Sequence, residues 1–397
     1  MASQLITGLA LMSLVILMLG FVLRRLSQPH FVGYILAGVL LGPEVLNVFK
    51  NTETITGLGE LGVVLLMFFV GAEIDLPSLA RNFARPLTAA LSQLFFSFGF
   101  VYLLGLYLGW DARLIVLLSF ILSLSSSAIV FQYLDRTGQM QSPLGLLCCG
   151  VLLIQDVLVV PMLLVLNMIS GQEIPTGQLF KATLGALLSG LFLWGAVSKK
   201  LFRIPFKKAL AADHDLQVFL GFLLCFGMAW FTWYLGLSPA LGAFLAGILI
   251  GQDTATRWLD NALIPFRVFF MAFFFISVGL QLNLDFFAGH WPTIASLALT
   301  VLVVNSLINT LVFRLTGHKW RESFYAGALL SQIGEFSFVL ITLARGLGMV
   351  EDATHQIILC VIALTMMLSS LWIDVIQRFI FTMPTDTWRK ETHNGTN

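Results

Sequence analysis

Charge is what this sequence has least of. Of its 397 residues only 11% are Asp, Glu, Lys or Arg, and the formal net charge is +1. That balance excludes a nucleic-acid binder and offers nothing to a strongly acidic partner. Cysteine is scarce too: Cys148, Cys149, Cys225 and Cys360 all lie in apolar runs, where a thiol behaves as a small hydrophobe. They frame neither a disulfide scaffold nor a metal site, since no His sits near them at ligand spacing. The six His residues, among them His30, His318 and His355, fall in loops or at span ends. No Ser/His/Asp or Cys/His constellation converges on one face, so an enzyme is not expected, and no cofactor is expected either.

What is present is hydrophobicity. The apolar fraction is 58% and the mean hydropathy +0.91, a composition that marks an all-α polytopic membrane protein. A helix needs about 20 apolar residues to cross a hydrocarbon core roughly 30 Å thick, fewer where Gly or Pro interrupts it inside protein. The sequence predicts thirteen spans, at 5–23, 31–47, 58–74, 86–108, 113–134, 143–169, 179–198, 215–234, 238–251, 264–283, 292–313, 321–344 and 355–381. The first, LITGLALMSLVILMLGFVL, is too long for a signal-peptide core and lacks a small-residue cleavage site. A cytoplasmic tail is expected over 383–397. On this count one set of loops holds 18 of the 22 Lys and Arg residues and the other set holds 4. Basic residues favour the cytoplasmic side, which places the N-terminus outside and the C-terminus in the cytoplasm of an inner membrane.

The chain also repeats itself. GYILAGVLLGP at 33–43 matches GAFLAGILIGQ at 242–252, offset 209, and FFVGAEIDL at 68–76 matches FISVGLQLNL at 275–284, offset 208. The same shift carries Ser126 and Ser127 onto Gly334 and Glu335. The repeats then run over about 5–169 and 215–381, joined by a linker helix at 179–198. Seven spans separate equivalent positions, so the second copy is inserted upside down. Inverted repeats of this kind point to alternating access around a midplane site. The small residues Gly38, Gly42, Gly247 and Gly251 read more simply as close helix packing.

Polar residues inside the spans locate that site. In GVLLIQDVLVVPM, Asp156 lies thirteen residues after Pro143, ~20 Å along a helix and near mid-depth. A bare carboxylate there is costly, so a proton or a cation has to accompany it. No Lys or Arg in any span centre offers a fixed ion pair. Gln155 offers a neutral carbonyl oxygen beside the acid, or else a packing hydrogen bond. In LSLSSSAIV, Ser123, Ser125, Ser126 and Ser127 suit an unwound break facing a cavity. The repeat-equivalent LLSQIGEFSFV, with Ser331, Gln332, Gly334 and Glu335, suits a second break. Where two broken helices cross, half-helix dipoles need compensating charge, a role open to Glu335 beside direct ion handling. Glu73 and Asp75, next to Arg81 and Arg85, read as residues of a cytoplasmic mouth.

Together with LGELGVVLLMFFVGAEID and GALLSQIGEFSFVL, these stretches resemble the monovalent cation:proton antiporter-2 family, close to the membrane part of the glutathione-regulated potassium efflux (Kef-type) antiporters, over nearly all of 30–380. The resemblance implies a sodium/proton-antiporter fold with crossed discontinuous spans five and twelve, an elevator-like movement and a homodimer. It makes Asp156 the carrier of either H+ or a monovalent cation, with Gln155 its neighbour and Ser125, Ser126 and Ser127 lining the site. Relatives that exchange two protons per sodium carry an Asp-Asp pair and a Lys in span ten. Here the pair is Gln-Asp, and VFFMAFFFISVGL has no basic residue at mid-depth, which points to one-for-one, electroneutral K+/H+ exchange, with Na+/H+ exchange as the alternative. The potassium efflux members continue into a nucleotide-binding domain, whereas this sequence shows no such glycine fingerprint, leaving room for a separate cytoplasmic regulatory subunit or domain. DTATRWLDNALIPFR is poor in carboxylates where those members have an acidic, glutathione-gated loop. A channel or ligand-gated receptor on the same scaffold is the reading from another class, to be told apart by proton counterflow.

Overall fold

Local sequence explains where the helices start and stop. The structure, a computed structural model, describes residues 2–380 except 26–27, 29, 50–51, 74–83, 141, 172–183, 186–190, 192–212, 236–238 and 252–256. Span seven, Asp75, Arg81 and the tail after residue 380 lie wholly or largely outside the described residues. The described residues are all-helical: α1 (Ala2–Arg25), α2 (His30–Leu41), α3 (Thr52–Glu73), α4 (Ala84–Leu108), α5 (Ala112–Ser123), α6 (Ser127–Arg136), α7 (Pro143–Ile169), α8 (His214–Tyr234), α9 (Pro239–Gly251), α10 (Arg257–Gln281), α11 (Leu284–Leu315), α12 (Trp320–Leu329), α13 (Phe336–Gly346) and α14 (Asp352–Ile380). Side-chain oxygens cap several N-termini: Asp111 accepts from the N–H of Arg113, Ser142 from Gly145, Asp213 from Asp215 and Leu216, and Asn283 from Phe286.

Seven of these helices are long and apolar enough to cross a membrane, and five shorter apolar helices accompany them. Several boundaries differ from the sequence expectation, α3 starting at Thr52 rather than 58 and α10 at Arg257 rather than 264, and two others have clear reasons. α2 ends at Leu41 rather than 47, because Gly42-Pro43 cannot continue it and the chain turns back, with Asn47 in the left-handed region at φ 49°. α11 begins at Leu284 rather than 292, because Asn283 caps a preceding segment that joins the main helix through a kink at His290, just before Pro292.

The packing is organised in two sets. α2 packs on α10, α3 on both α9 and α10, and α8 on α9. In the other set, α4 packs on α5 and α7, while α11 packs on α12 and α14. The first set is held together by glycine. A Cβ at Gly38 would overlap the Ile276 carbonyl and the Gly279 backbone, and one at Gly279 would overlap Ile35 and Gly38. In the same way Gly71 lies against Phe244 and Ile248, and Gly247 against Phe68 and Ala72. The two matched sequence motifs therefore pack on each other twice, once at α2/α10 and once at α9/α3. Bare backbones in contact are how helices gain dispersion energy where lipid removes the hydrophobic driving force. Phe68, Phe69, Phe273 and Phe275 fill the remaining interior of this set.

Candidate functional site

Spans five and twelve are each interrupted, and the two interruptions touch. α5 stops at Ser123 and α6 starts at Ser127, with Leu124 extended at φ −95°, ψ 125°. α12 stops at Leu329 and α13 starts at Phe336. The N–H of Gly334 donates to the Leu124 carbonyl at 2.9 Å, Ser125 Oγ to the Leu330 carbonyl at 2.9 Å, and Ser337 Oγ to the Ile121 carbonyl at 3.3 Å. Only Gly fits at 334, since a Cβ would overlap the Ser125 carbonyl and the Ser126 nitrogen. The loose backbone ends of each break are thus used by the other, as non-helical backbone buried in a membrane protein requires.

The serine run divides its work. Ser125 ties the two breaks. Ser126 Oγ accepts from the N–H of Ile129, capping α6. Ser127 reaches across to α7 and donates its hydroxyl to Asp156 Oδ2 at 2.8 Å. Asp156 and Gln155 are each 2% exposed, and Ser125 and Ser126 are buried as well. A carboxylate so enclosed, with a hydroxyl donor aimed at it and the N-terminal end of α6 beside it, can hold its negative charge or exchange it against a proton or a small cation.

Gln155 sits differently from a simple ligand. Its Oε1 accepts from the N–H of Ser125 at 3.0 Å, and its Nε2 donates to Gln93 Oε1 on α4 at 2.6 Å. Both ends of the amide are engaged by protein. Glu335 is buried immediately before α13, and Gln332, fully buried in the second break, has neither amide atom hydrogen-bonded among the described residues. Gln93 is a residue that sequence reasoning missed, as are Asn305 and Asn309 on α11. All three are fully buried, and Asn309 Nδ2 donates to the Leu330 carbonyl at the second break, 3.2 Å away. The helix beside the breaks is therefore α11 rather than α10, which packs on α2 and α3. At this depth α11 offers neutral amides, and among the described residues no Lys or Arg is buried. Their sequence signal was a lone amide in an apolar helix, repeated one turn later at Asn305/Asn309 and echoed one turn later by Ser97 after Gln93.

Comparison with known proteins places this arrangement. The family model for the transmembrane part of sodium/hydrogen exchangers matches residues 10–378. The chain is 31% identical over 373 residues to the iron transporter MagA of Paramagnetospirillum magneticum, a match covering 94% of this chain and 86% of that protein. Its fold is like that of the sodium proton antiporter MjNhaP1 of Methanocaldococcus jannaschii at pH 8, with TM-score 0.65, 14% identity and coverage of 95% of this chain and all of that one. A second structure of MjNhaP1, from electron microscopy, gives TM-score 0.55 at 12% identity, over 94% of this chain and 95% of that one. At such identities the likeness shows the fold alone, an all-helical antiporter fold. The family match extends from the first span to the last, across both breaks and the Asp156 helix, and the chain belongs to the sodium/hydrogen exchanger family of membrane cation:proton antiporters.

Proposed function

We propose that this protein exchanges K+ for H+ one for one, with Asp156 holding either the proton or the cation. The observation that carries this reading is the buried Ser127–Asp156 pair at the meeting of the two breaks. The neutral amides of α11 support single-charge exchange: no basic side chain shares the site among the described residues, so one carboxylate binds one H+ or one monovalent cation. Ser127 donates to the ionised acid and turns its lone pairs toward a bound cation; a proton on Asp156 removes the charge that attracts the cation. Alternating access in this reading is an elevator-like movement of the set carrying Asp156 (α4–α7, α11–α14) against the glycine-packed set (α1–α3, α8–α10). In this reading the repeats run over about 5–169 and 215–381, supported by the doubled α2/α10 and α9/α3 contact, while the linker helix expected at 179–198 lies largely outside the described residues. The excess of Lys and Arg in one set of loops supports an inner-membrane orientation with the N-terminus outside, and the family resemblance supports a homodimer.

The potassium preference rests on the Gln-Asp pair and the resemblance to potassium efflux antiporters, with Na+ as the competing cargo. The MagA relative carries iron in its name; the donors here, one carboxylate with hydroxyl oxygens, suit a hard, singly charged cation better. Everted vesicles holding a pH gradient test the proposal. Adding KCl should dissipate the gradient more strongly than NaCl, and Asp156→Asn should abolish both responses. Continued proton exchange in Asp156→Asn would sink the assignment, and conduction of K+ without proton counterflow would place the protein among channels.

A further inference from the structure

The hydrogen bonds of Gln155 can be assigned from chemistry alone. A backbone N–H only donates, so the atom facing Ser125 N at 3.0 Å is the carbonyl oxygen of Gln155. Its NH2 group then faces Gln93, so the atom of Gln93 that it meets at 2.6 Å is an acceptor. Gln93 is fully buried, on a helix packed against both α7 and α11. Its own Nε2 has no partner among the described residues, nor does Ser97 Oγ one turn later, so α4 presents Gln93 to the site solely through its oxygen. From Ser125 the chain runs two residues to Ser127, whose hydroxyl meets Asp156. One line of contacts therefore leads from α4 to the carboxylate: Gln93, Gln155, the Ser125 amide, Ser127, Asp156.

We infer that Gln93 is a positioning residue of the cation site, which by holding Gln155 fixes the start of α6 and sets how well Asp156 keeps a cation against a competing proton. This deepens the exchange reading above and rests on it. Removing the Gln93 oxygen leaves the buried NH2 of Gln155 without an acceptor, an arrangement costly enough to turn the amide away from Ser125. The first turn of α6 then loosens, Ser127 donates less well, and ionised Asp156 loses support that its protonated form never needed.

The test is exchange in everted vesicles, titrated with KCl and NaCl at several pH values. Gln93→Met, close in shape but with only a weak thioether acceptor in place of the amide oxygen, should raise the half-maximal concentration of the transported cation about tenfold, leave the maximal rate within about twofold, and move the activity profile toward alkaline pH. Gln93→Glu keeps an acceptor at the same reach in either protonation state, so its half-maximal concentration should stay at or below that of the unaltered protein. Because Gln93 acts through Gln155, adding Gln93→Met to Gln155→Met should change nothing further. An unmoved half-maximal concentration in Gln93→Met, additive effects in the double variant, or an equal loss of maximal rate in Gln93→Met and Gln93→Glu would each overturn the inference. If Gln93→Met does not reach the membrane, Gln93→Asn, which withdraws the amide by one methylene, carries the same expectation. Asp156→Asn alongside separates the two ideas: exchange surviving in it refutes the role of Asp156, whereas its silence with an unmoved Gln93→Met refutes only the positioning role.

Discussion

At the end of α5, Ser123 donates its hydroxyl to the Phe120 carbonyl at 2.9 Å; just past α12, Ser331 donates to the Ala328 carbonyl at 2.8 Å. The two bonds are 208 residues apart at both ends, the offset of the repeat. From there the two breaks diverge. The first continues Leu124-Ser125-Ser126-Ser127, and α7 brings Gln155 and Asp156 to it. The second continues Gln332-Ile333-Gly334-Glu335, and the equivalent places on α14 are Ala363 and Leu364. The repeat thus supplied one backbone device twice, while the Gln155–Asp156 pair accompanies the first break only. In the exchange reading proposed above, the symmetric pair of breaks gives a position reachable from both faces, and the lone Asp on α7 keeps the count at one ion.

The largest effect that would break this comparison lies in the second break. Gly334→Ala sets a methyl group against the backbone of Ser125 and Ser126, atoms that yield only if the breaks separate. Loss of exchange by about a hundredfold, or loss of folded protein from the membrane, is expected, since overpacking a rigid contact costs about 1–3 kcal/mol or more. The equivalent change in the first break, Ser126→Ala, removes only the cap on Ile129 and should cost about 1 kcal/mol of stability. Equal outcomes for the pair, read as exchange rate and as yield after detergent extraction, would show that the two breaks are not specialised. Next in size, Ser127→Ala removes the hydroxyl from Asp156 and should raise the half-maximal cation concentration about tenfold. Glu335→Gln, at the repeat-equivalent place, should leave that concentration near its original value and act on maximal rate or stability. A shift in cation affinity for Glu335→Gln as large as that for Ser127→Ala would move Glu335 into the ion site.

Much of the fold was legible because membrane spans announce themselves. Pro143 after Ser142 and the apolar run to Ile169 fixed both limits of α7, and clustered Ser and Gly residues marked both breaks. Less was legible at the site. Three adjacent serines read alike in sequence, yet a helix start sends them three ways: Ser125 to the opposite break, Ser126 back to its own helix, Ser127 to Asp156. Gln155 stood beside the acid in the chain, but one residue is about 100° around a helix, so its neighbours in space are Ser125 and Gln93 instead. Gln93, Asn305 and Asn309 gave weak signals because a single amide in an apolar helix is equally suited to packing. The early start of α11 escaped because Pro292 reads as a helix beginning, whereas here it follows a kink at His290.

The smallest expected effect is also the cleanest probe of what the breaks share. Ser123→Ala and Ser331→Ala each remove one hydroxyl bonded three residues back to a carbonyl of the helix that ends there, without touching the contacts between the breaks. Even side-chain hydrogen bonds across membrane helices are worth only about 0.6 kcal/mol, and local ones are worth no more, so each variant should shift the melting temperature of the purified protein by at most about 1–2 °C. Because the two bonds occupy equivalent places in the repeat, the shifts should match, and both variants should keep the cation affinity of the unaltered protein. If Ser123→Ala weakens cation binding while Ser331→Ala does not, the specialisation of the first break begins four residues before Ser127, inside α5 itself. Matching shifts would confine it to Ser127 and the pair on α7 that faces it.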